Sequence, residues 1–317
     1  MLKIYQSNAQ GSLIETSEIE HNSLIYLVNP SKDEILQVVM QLNIPKAFFR
    51  DSLDKNERPR IEKDKDALLI VLNTPFMAKE DANQNVVPYQ TSPIGIIHTE
   101  NNLIIVSRQQ LPILNDLIAG QYGMFQSYMK TRISLLLFKA VAESYNQYLT
   151  QINKKISELQ QKLKSAYRNH ELFGLINLNK SLVFFSTSLS AMTILYKRMM
   201  DGHDIKIHAE EKNRLEDILI DIRQAAEITE MRRESLSNLM DAYAAIIHNN
   251  LNSVLKMLTT VAIVMIIPTM LGSVFSMNVA LPHEEEWITT VVVAGLMLVT
   301  VSVLLMLFYK KKYLRVR

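Results

Sequence analysis

Polar side chains recur within a long apolar segment near the carboxyl end of this chain. Four positions seven residues apart lie on one stripe of a helix, and three of the four are polar: Asn252, Thr259, Ile266 and Ser273. Leu255 and Thr269 lie beside this stripe. Amide and hydroxyl oxygens are neutral groups that can face a hydrated cation. The stripe therefore predicts the lining of an ion path. Any single hydroxyl also fits a second interpretation, a bond to the preceding helical turn or to a neighbouring helix.

A second polar group follows directly after that helix. Ser276, Met277 and Asn278 come first, and three consecutive acids, Glu284, Glu285 and Glu286, follow. Amide and carbonyl oxygens at the end of a membrane helix could face a hydrated cation at the mouth of a path. The acids would concentrate cations at such a mouth by their field. The alternatives are a helix cap at Asn278 and a solvated loop for the acids.

A third group of candidate cation ligands lies further upstream, on a segment predicted to be helical. Glu216, Asp217 and Asp221 occupy neighbouring faces there. They could bind a cation, and the alternative is pairing with Arg214 or Arg223. The histidines lack the spacing of a zinc site, and the sequence has no phosphate-binding glycine loop or hydrolase motif. An enzymatic function and a covalently bound cofactor are therefore not expected.

Two apolar runs dominate the last sixty residues. Met257–Phe275 and Ile288–Tyr309 each have about the length that a helix needs to cross a bilayer. Basic residues lie outside the pair and not between them: Lys256, Lys310, Lys311, Lys312, Arg315 and Arg317. The positive-inside rule then predicts a multi-pass protein of the plasma membrane with both termini in the cytoplasm and the acidic loop outside.

Composition excludes several other classes of protein. The chain has no cysteine, which rules out disulfides, thiolate metal sites and cysteine nucleophiles. Its formal net charge is only +2, which argues against a nucleic-acid partner. The partners expected from the sequence are the lipid bilayer, divalent cations and further copies of the chain, because one pair of membrane helices encloses no pore.

Prolines and short β-branched runs mark the amino-terminal part as a small α/β domain. Its predicted strands contain Leu24–Val28, Ala67–Leu72, Ile94–Ile97 and Leu103–Val106, and a helix is predicted near Ser31–Leu42. No proline occurs from Ile113 to Ile267, which predicts long helices. The segment from Asp204 to Ile267 also lacks glycine, so we expect one stalk helix that continues into the first membrane run and packs against Arg132–Lys164.

These boundaries define six predicted parts of the chain. They are a cytoplasmic α/β domain at 1–125, a long-helix stalk at 126–256, a pore-lining first transmembrane helix at 257–275, an extracellular loop at 276–287, a second transmembrane helix at 288–309 and a basic cytoplasmic tail at 310–317. The expected fold class is an α+β cytoplasmic domain with a long stalk helix that continues into a two-helix C-terminal transmembrane hairpin.

The same residues resemble a known family. The segment Asn252–Thr259, the pair Pro268–Thr269 and the Phe-Ser-Met-Asn sequence at 275–278 are similar to the first membrane helix of the CorA magnesium transporters, which ends in Tyr-Gly-Met-Asn. Upstream, Glu57–Glu62 looks like the Arg-Pro-Arg/Lys-x-Glu segment of that family. The resemblance implies a CorA-like funnel, a homopentamer that takes up Mg²⁺, and also Co²⁺, under control of intracellular metal.

The resemblance also assigns roles to particular residues. Its Gly-Met-Asn ring corresponds to Ser276, Met277 and Asn278. Mg²⁺ sheds water reluctantly, so a wide ring of amide and carbonyl oxygens there could hold it through its first water shell. The family's regulatory cation would bridge one of the stalk acids, Glu216, Asp217 or Asp221, to Glu80 or Asp81 of the neighbouring copy. Mg²⁺ would thus be both substrate and regulator. Ser276 departs from the family glycine: it either strains the turn, if the fold demands a left-handed conformation, or it continues the helix and adds a hydroxyl to the mouth. A transition-metal transporter such as one for zinc, and a non-conducting pentameric scaffold or metal sensor, are the alternatives.

Overall fold

A computed structural model describes residues 1–8, 12–78, 87–165, 169–202, 208–277, 287–311 and 313. It separates into two compact units, Met1–Ser237 and Asn238–Arg317. The first unit contains a β-sheet and several helices, and the second contains the two strongly apolar helices.

Seven strands form one mixed sheet in the first unit. Their bounds are β1 Leu2–Ser7, β2 Leu13–Thr16, β3 Leu24–Val28, β4 Arg60–Asp64, β5 Ala67–Met77, β6 Tyr89–His98 and β7 Leu103–Ser107. They are ordered β2-β1-β3-β7-β6-β5-β4, and β3 pairs with β7 in parallel while the other neighbours are antiparallel. All five residues of both β3 and β7 are buried, so the centre of the sheet is covered on both faces.

Two short helices cover one face of this sheet. They are α1, Lys32–Leu42, and α2, Lys46–Leu53. Ser31 and Glu34 form a reciprocal capping box that begins α1, and Asn43 ends it in a left-handed conformation. Phe48 and Phe49 of α2 are buried in the core on this face, which accounts for a helix with no side-chain cap.

Long helices cover the other face. After the short α3, Pro112–Ile118, come α4 at Lys130–Ser165 and α5 at Asn169–Met200. The Tyr145 hydroxyl of α4 donates to the carbonyl oxygen of Asn73 at 2.9 Å, and the amide of Tyr89 donates to Ser181 Oγ of α5 at 3.2 Å. These bonds fix both helices to β5 and β6.

The last two helices are α6, Ala209–Phe275, and α7, Trp287–Lys310. Apolar residues recur mostly every three or four positions along the predicted stalk: Leu215, Ile218, Ile222, Ala225, Ile228, Leu236 and Leu239. Five of these seven are buried, and Ile228 and Leu239 are partly buried. In the first unit, α6 receives a hydrogen bond from Ser186 of α5 at 3.0 Å, and Arg232 donates to Asn153 of α4. The predicted partner segment, α4, is therefore one of two helices that bond to α6 in the described residues. The contact between α5 and α6 was not predicted.

The four predicted strands and the first helix are all present, and α3, α4, α5 and α6 are separate helices. The structure differs in the number of apolar helices. Among the described residues, three helices are long and apolar enough to cross a membrane, because His170–Met200 qualifies beside the two predicted ones. Its apolar residues, such as Leu182, Phe185 and Leu189, are buried within the first unit, so packing explains them.

Candidate functional site

The predicted polar stripe of α6 is exposed in the second unit. All six of its residues are exposed in the single chain: Asn252, Leu255, Thr259, Ile266, Thr269 and Ser273. Leu255 is 52% exposed and Ile266 is 60% exposed, which is unusual for large apolar side chains in a folded unit. The stripe is therefore free to face lipid, water or another copy of the chain.

A different face of α6 is partly buried. Thr260, adjacent to the stripe residue Thr259, is only 1% exposed. Further along, a β-carbon at Gly272 would lie 3.6 Å from Cε of Met297 on α7. Near the other end, Lys256 Nζ lies 6.0 Å from the ring centre of Tyr313. The residues that approach the last helix are thus not those of the predicted stripe.

Both threonine hydroxyls of the stripe donate their protons to their own helix. Thr259 Oγ1 donates to the carbonyl oxygen of Leu255 at 2.8 Å, and Thr269 Oγ1 donates to that of Met265 at 2.8 Å. This is the second interpretation of a single hydroxyl, but it does not consume the acceptor capacity of the oxygen. With the proton bound inward, the two lone pairs of each oxygen remain available to a cation or to its water shell.

Ser276 continues the helical hydrogen bonding of α6. Its amide donates to the carbonyl oxygen of Gly272 at 3.0 Å, the spacing of an α-helix, and its Oγ donates to Ser273 at 2.9 Å. Ser276 is not among the described residues with positive φ. The structure therefore favours the second alternative for this position, an ordinary conformation with an added hydroxyl, over a strained turn.

Several predicted site residues lie outside the described residues. They are Asn278, Glu80, Asp81, Glu284, Glu285 and Glu286. Their roles stay predictions. Among the residues that the structure does describe, no three His, Cys, Asp or Glu side chains come together to hold a metal.

The stalk acids Glu216, Asp217 and Asp221 are exposed. Neither aspartate forms an ion pair or a hydrogen bond within the described part of the chain, so the predicted pairing with Arg214 or Arg223 is not formed. Asp217 and Asp221 instead line a cavity that α6 shares with α4 and the segment after α3.

Sequence reasoning missed the cations in that cavity. Arg132 and Lys139 of α4 lie in it with Arg214. The i, i+7 spacing of Arg132 and Lys139 on one face of a predicted helix was an available signal, but the sequence did not show that α6 would bring Arg214 beside them.

A family model described as CorA-like Mg²⁺ transporter protein matches residues 22–312. The chain belongs to this family. The cobalt/magnesium transport protein CorA of Methanocaldococcus jannaschii is 24% identical over 99% of this chain and 100% of that protein. The magnesium transport protein CorA of Helicobacter pylori strain 26695 is 23% identical over 93% of this chain and 92% of its own length.

The fold agrees with this membership. The complete structure of the CorA magnesium transporter from Methanocaldococcus jannaschii superimposes with a TM-score of 0.82, at 22% identity, over 98% of this chain and 97% of that one. This solved structure therefore matches the sheet, the long helix and the last apolar helix together. The resemblance inferred from the 252–278 segment is confirmed at the level of the family.

One upstream match to the CorA pattern has a clear structural role. Arg60, in the Arg-Pro-Arg segment, contacts three carboxylates: its Nη2 is 2.8 Å from Asp51 Oδ2, its Nε is 2.8 Å from Glu57 Oε1, and its Nη1 donates to Glu62. The main chain of Glu57 in turn accepts from Asn73 Nδ2 at 3.3 Å. This arginine ties α2 to β4 and to Glu57, whose main chain is bonded to β5.

Proposed function

We propose that this chain forms a homopentameric channel of the CorA type that carries Mg²⁺ into the cytoplasm, down its electrochemical gradient and without ATP. The observation that carries the proposal is the polar stripe of α6, which the rest of the chain leaves exposed. A helix in hydrocarbon gains nothing by turning an amide and several hydroxyls toward lipid. Several copies around an axis would bring their stripes together and enclose a path.

The stripe has the chemistry of a path for a hydrated ion. Its oxygens are neutral, and the hydroxyl protons of Thr259 and Thr269 are already bonded to their own helix. Rings of such oxygens would accept hydrogen bonds from the waters of Mg²⁺ without stripping them, and the rings of Leu255 and Ile266 would narrow the path between them. In this arrangement Asn278, with Ser276 and Met277, would form the outer ring, and the acids at 284–286 would attract cations to it.

We further propose the membrane topology predicted above, a two-helix hairpin in the plasma membrane with the sheet domain, stalk and basic tail in the cytoplasm. The domain boundaries predicted from the sequence belong to this proposal. Lys256, Lys310 and Lys311 would then lie on the cytoplasmic side. Co²⁺ and Zn²⁺ are the alternative cargoes. Intracellular Mg²⁺ would regulate the pore by bridging Asp217 to an acid of the neighbouring copy, Glu80 or Asp81.

Ion flux into proteoliposomes tests this function. Purified protein is reconstituted with an ion-sensitive dye inside, and Mg²⁺, Co²⁺ or Zn²⁺ is added outside. We expect Mg²⁺ entry, driven by an inside-negative potential, and its loss in Asn278→Ala with the oligomer intact by light scattering. Entry of Zn²⁺ alone would assign the transition-metal alternative. An assembled pentamer that conducts none of the three ions would reject transport in favour of the scaffold.

A further inference from the structure

His248 lies on α6 within the second unit, on the face that carries the polar stripe. At about 100° per residue, an α-helix places His248 about 40° from Asn252 and about 20° from both Leu255 and Thr259. Its side chain is exposed, and its ring makes no ion pair or hydrogen bond within the described residues. The stripe therefore extends upstream by one further turn, to an imidazole.

The buried side of this part of α6 is a different face. Tyr243 and Thr260 are the two buried residues between 238 and 275, at 8% and 1% exposure. On the same ideal helix they lie about 140° and about 120° from His248. Packing within the chain thus leaves His248 on the open side of the helix, together with the stripe.

A row of exposed apolar side chains lies beside the stripe. Ile247, Leu251, Val254 and Leu258 are between 43% and 60% exposed, at alternating steps of four and three residues. Such spacing is typical of helices that pack along one another. The first three of these residues precede Lys256, where the proposed topology provides no lipid to cover them. Further copies of the same helix would cover this row, and the adjacent stripe then faces their common axis.

The charges around His248 favour the approach of a cation. The sequence has no Lys, Arg, Asp or Glu between Asp241 and Lys256. Asp241 is exposed, two turns upstream of His248 and about 20° from it. Lys256 lies about 80° away, and its Nζ is 6.0 Å from the ring centre of Tyr313. A cation that approaches along the stripe from its amino-terminal end thus meets carboxylates first and imidazoles next.

Imidazole nitrogen distinguishes between metal ions. It is a common ligand of Zn²⁺ and other transition metals, whereas Mg²⁺ prefers oxygen and keeps most of its water. The described residues of one chain bring together no three His, Cys, Asp or Glu side chains that could hold a metal, so several copies must each contribute a ring. Zn²⁺ takes four ligands, which several imidazoles and water can supply together.

We propose that the copies of His248 form a transition-metal site at the cytoplasmic entrance of the pore, where bound Zn²⁺ blocks the passage of Mg²⁺. The inference rests on the proposed function, because one chain supplies only one ligand. Hydrated Mg²⁺ passes the ring through hydrogen bonds from its waters to the imidazole nitrogens, whereas Zn²⁺ exchanges water for nitrogen and stays. The site is separate from the stalk acids, to which the proposed function assigns the regulatory Mg²⁺.

Isothermal titration tests the site on the full-length pentamer in detergent, without a polyhistidine tag. Zn²⁺ is titrated in saturating Mg²⁺, which occupies sites made of carboxylates. We expect one tightly bound Zn²⁺ per pentamer, because the copies share the ion. A stoichiometry of one tightly bound Zn²⁺ per chain would assign a surface histidine and overturn the proposal.

Two exposed histidines provide a matched pair of variants. His248→Gln should weaken Zn²⁺ binding by about tenfold or more, because it removes the nitrogen ligand. His208→Gln changes an exposed histidine just before α6 and should alter the affinity by less than about twofold. His248→Cys should retain the site, since thiolate is also a zinc ligand and the chain has no other cysteine. Equal Zn²⁺ affinity in His248→Gln and His208→Gln would overturn the proposal.

Flux separates this site from the transport function. Uptake of isotope-labelled Mg²⁺ into proteoliposomes is measured with and without Zn²⁺ on both sides of the membrane. Zn²⁺ should slow uptake by about tenfold or more in the parent, and by less than about twofold in His248→Gln relative to the zinc-free rate of that variant. A conducting pentamer that Zn²⁺ does not slow overturns the site alone. A pentamer without Mg²⁺ flux rejects the transport function, and the titration then still decides whether His248 binds Zn²⁺.

Discussion

Gly95 of β6 lies directly against Ser52 of α2, so closely that a β-carbon on Gly95 would be 1.8 Å from the serine hydroxyl oxygen and 2.4 Å from the serine Cβ. Ser52 is fully buried and donates to the carbonyl oxygen of Phe48 at 2.6 Å. The helix therefore rests on the sheet at a point where only glycine leaves room for it.

Gly95→Ala should destabilise the first unit by about 3 kcal/mol, the upper end of what overpacking a core costs. Thermal unfolding of the full chain in detergent, followed by circular dichroism, measures the loss. Ser52→Gly should cost only about 1 kcal/mol as a helix-interior glycine. It should also rescue Gly95→Ala, so that the double variant is more stable than Gly95→Ala alone. Simple additivity of the two changes would show that the contact does not limit the packing.

Replacement of Arg60 should leave three carboxylates close together without their shared cation. We expect Arg60→Ala to lower the free energy of unfolding by about 2 kcal/mol, and Arg60→Lys to restore only part of it, because lysine lacks the planar fork. The neighbouring Arg58 is exposed and makes no ion pair within the described residues, so Arg58→Ala is the control. Urea titration at fixed salt measures the free energy of unfolding of these three variants. Equal losses in Arg60→Ala and Arg58→Ala would contradict the role of Arg60.

His98 should make the stability of the first unit depend on pH. Ser134 donates to the carbonyl oxygen of Lys130, so the His98 Nε2–H donates to Ser134 Oγ at 2.8 Å. Burial, with a smaller contribution from the charge of Lys130, lowers the pKa of His98 to about 4. The folded chain therefore keeps this ring neutral, whereas the unfolded chain binds a proton below about pH 6.5.

The stabilising contribution is thus complete above about pH 6.5 and is lost as the pH falls toward 4. His98→Gln keeps a donor for Ser134 and cannot titrate. Its urea midpoint should therefore change less between about pH 7 and pH 5 than that of the unaltered chain. A midpoint that changes with pH as much in the variant as in the parent would assign the dependence to other groups.

Thr259 and Thr260 provide a neighbouring pair that separates pore lining from packing. Thr259 is exposed on the stripe and Thr260 is 1% exposed, yet each hydroxyl donates to its own helix at 2.8 Å. Thr259→Val should reduce Mg²⁺ flux by about threefold or more, because it replaces a ring of oxygens with methyl groups. Thr260→Val should leave flux within about twofold, since its oxygen faces no path. A larger loss of flux in Thr260→Val than in Thr259→Val would place the path on the other face of α6.

Ser276→Gly should not increase flux. The serine has a negative φ and a helical hydrogen bond to Gly272, so glycine relieves no strain there and only removes a hydroxyl. Fluorescence uptake in proteoliposomes should give Mg²⁺ rates within about twofold of the parent. A large gain would mean that the conducting assembly imposes a left-handed turn on this residue.

Sequence reasoning was most successful where a pattern is local and repeated. The buried strands centred on Leu24–Val28 and Leu103–Val106 followed from β-branched runs, and α6 followed from the long absence of glycine and proline. It missed β4, whose Arg60–Asp64 sequence is mostly charged, because the strand is held by its pairing with β5 and by the carboxylates around Arg60.

In the candidate site, too, local patterns could be predicted from the sequence and contacts between distant segments could not. The stripe of α6 was predictable because seven-residue spacing fixes one face of a helix whatever surrounds it. The cavity beside Asp217 was not, since it depends on which part of α4 meets which part of α6, and that is decided by side-chain packing between segments far apart in sequence. The hydrogen bonds of Thr259 and Ser276 likewise depend on rotamers that no spacing reveals.

The single parallel pairing in the sheet has a consequence for how the chain folds. Strands β4 to β7 form a meander in which each strand pairs with the next along the sequence, so their contacts close short loops. β3 instead pairs with β7, with Leu24 opposite Leu103, so it can join the meander only after β7 is available. β1 and β2 join the sheet only through β3. Because distant pairings carry the larger loop-closure entropy, we expect the nascent meander to nucleate folding and the amino-terminal strands to dock last. During synthesis the first three strands could therefore pair only with one another until residue 107 has emerged.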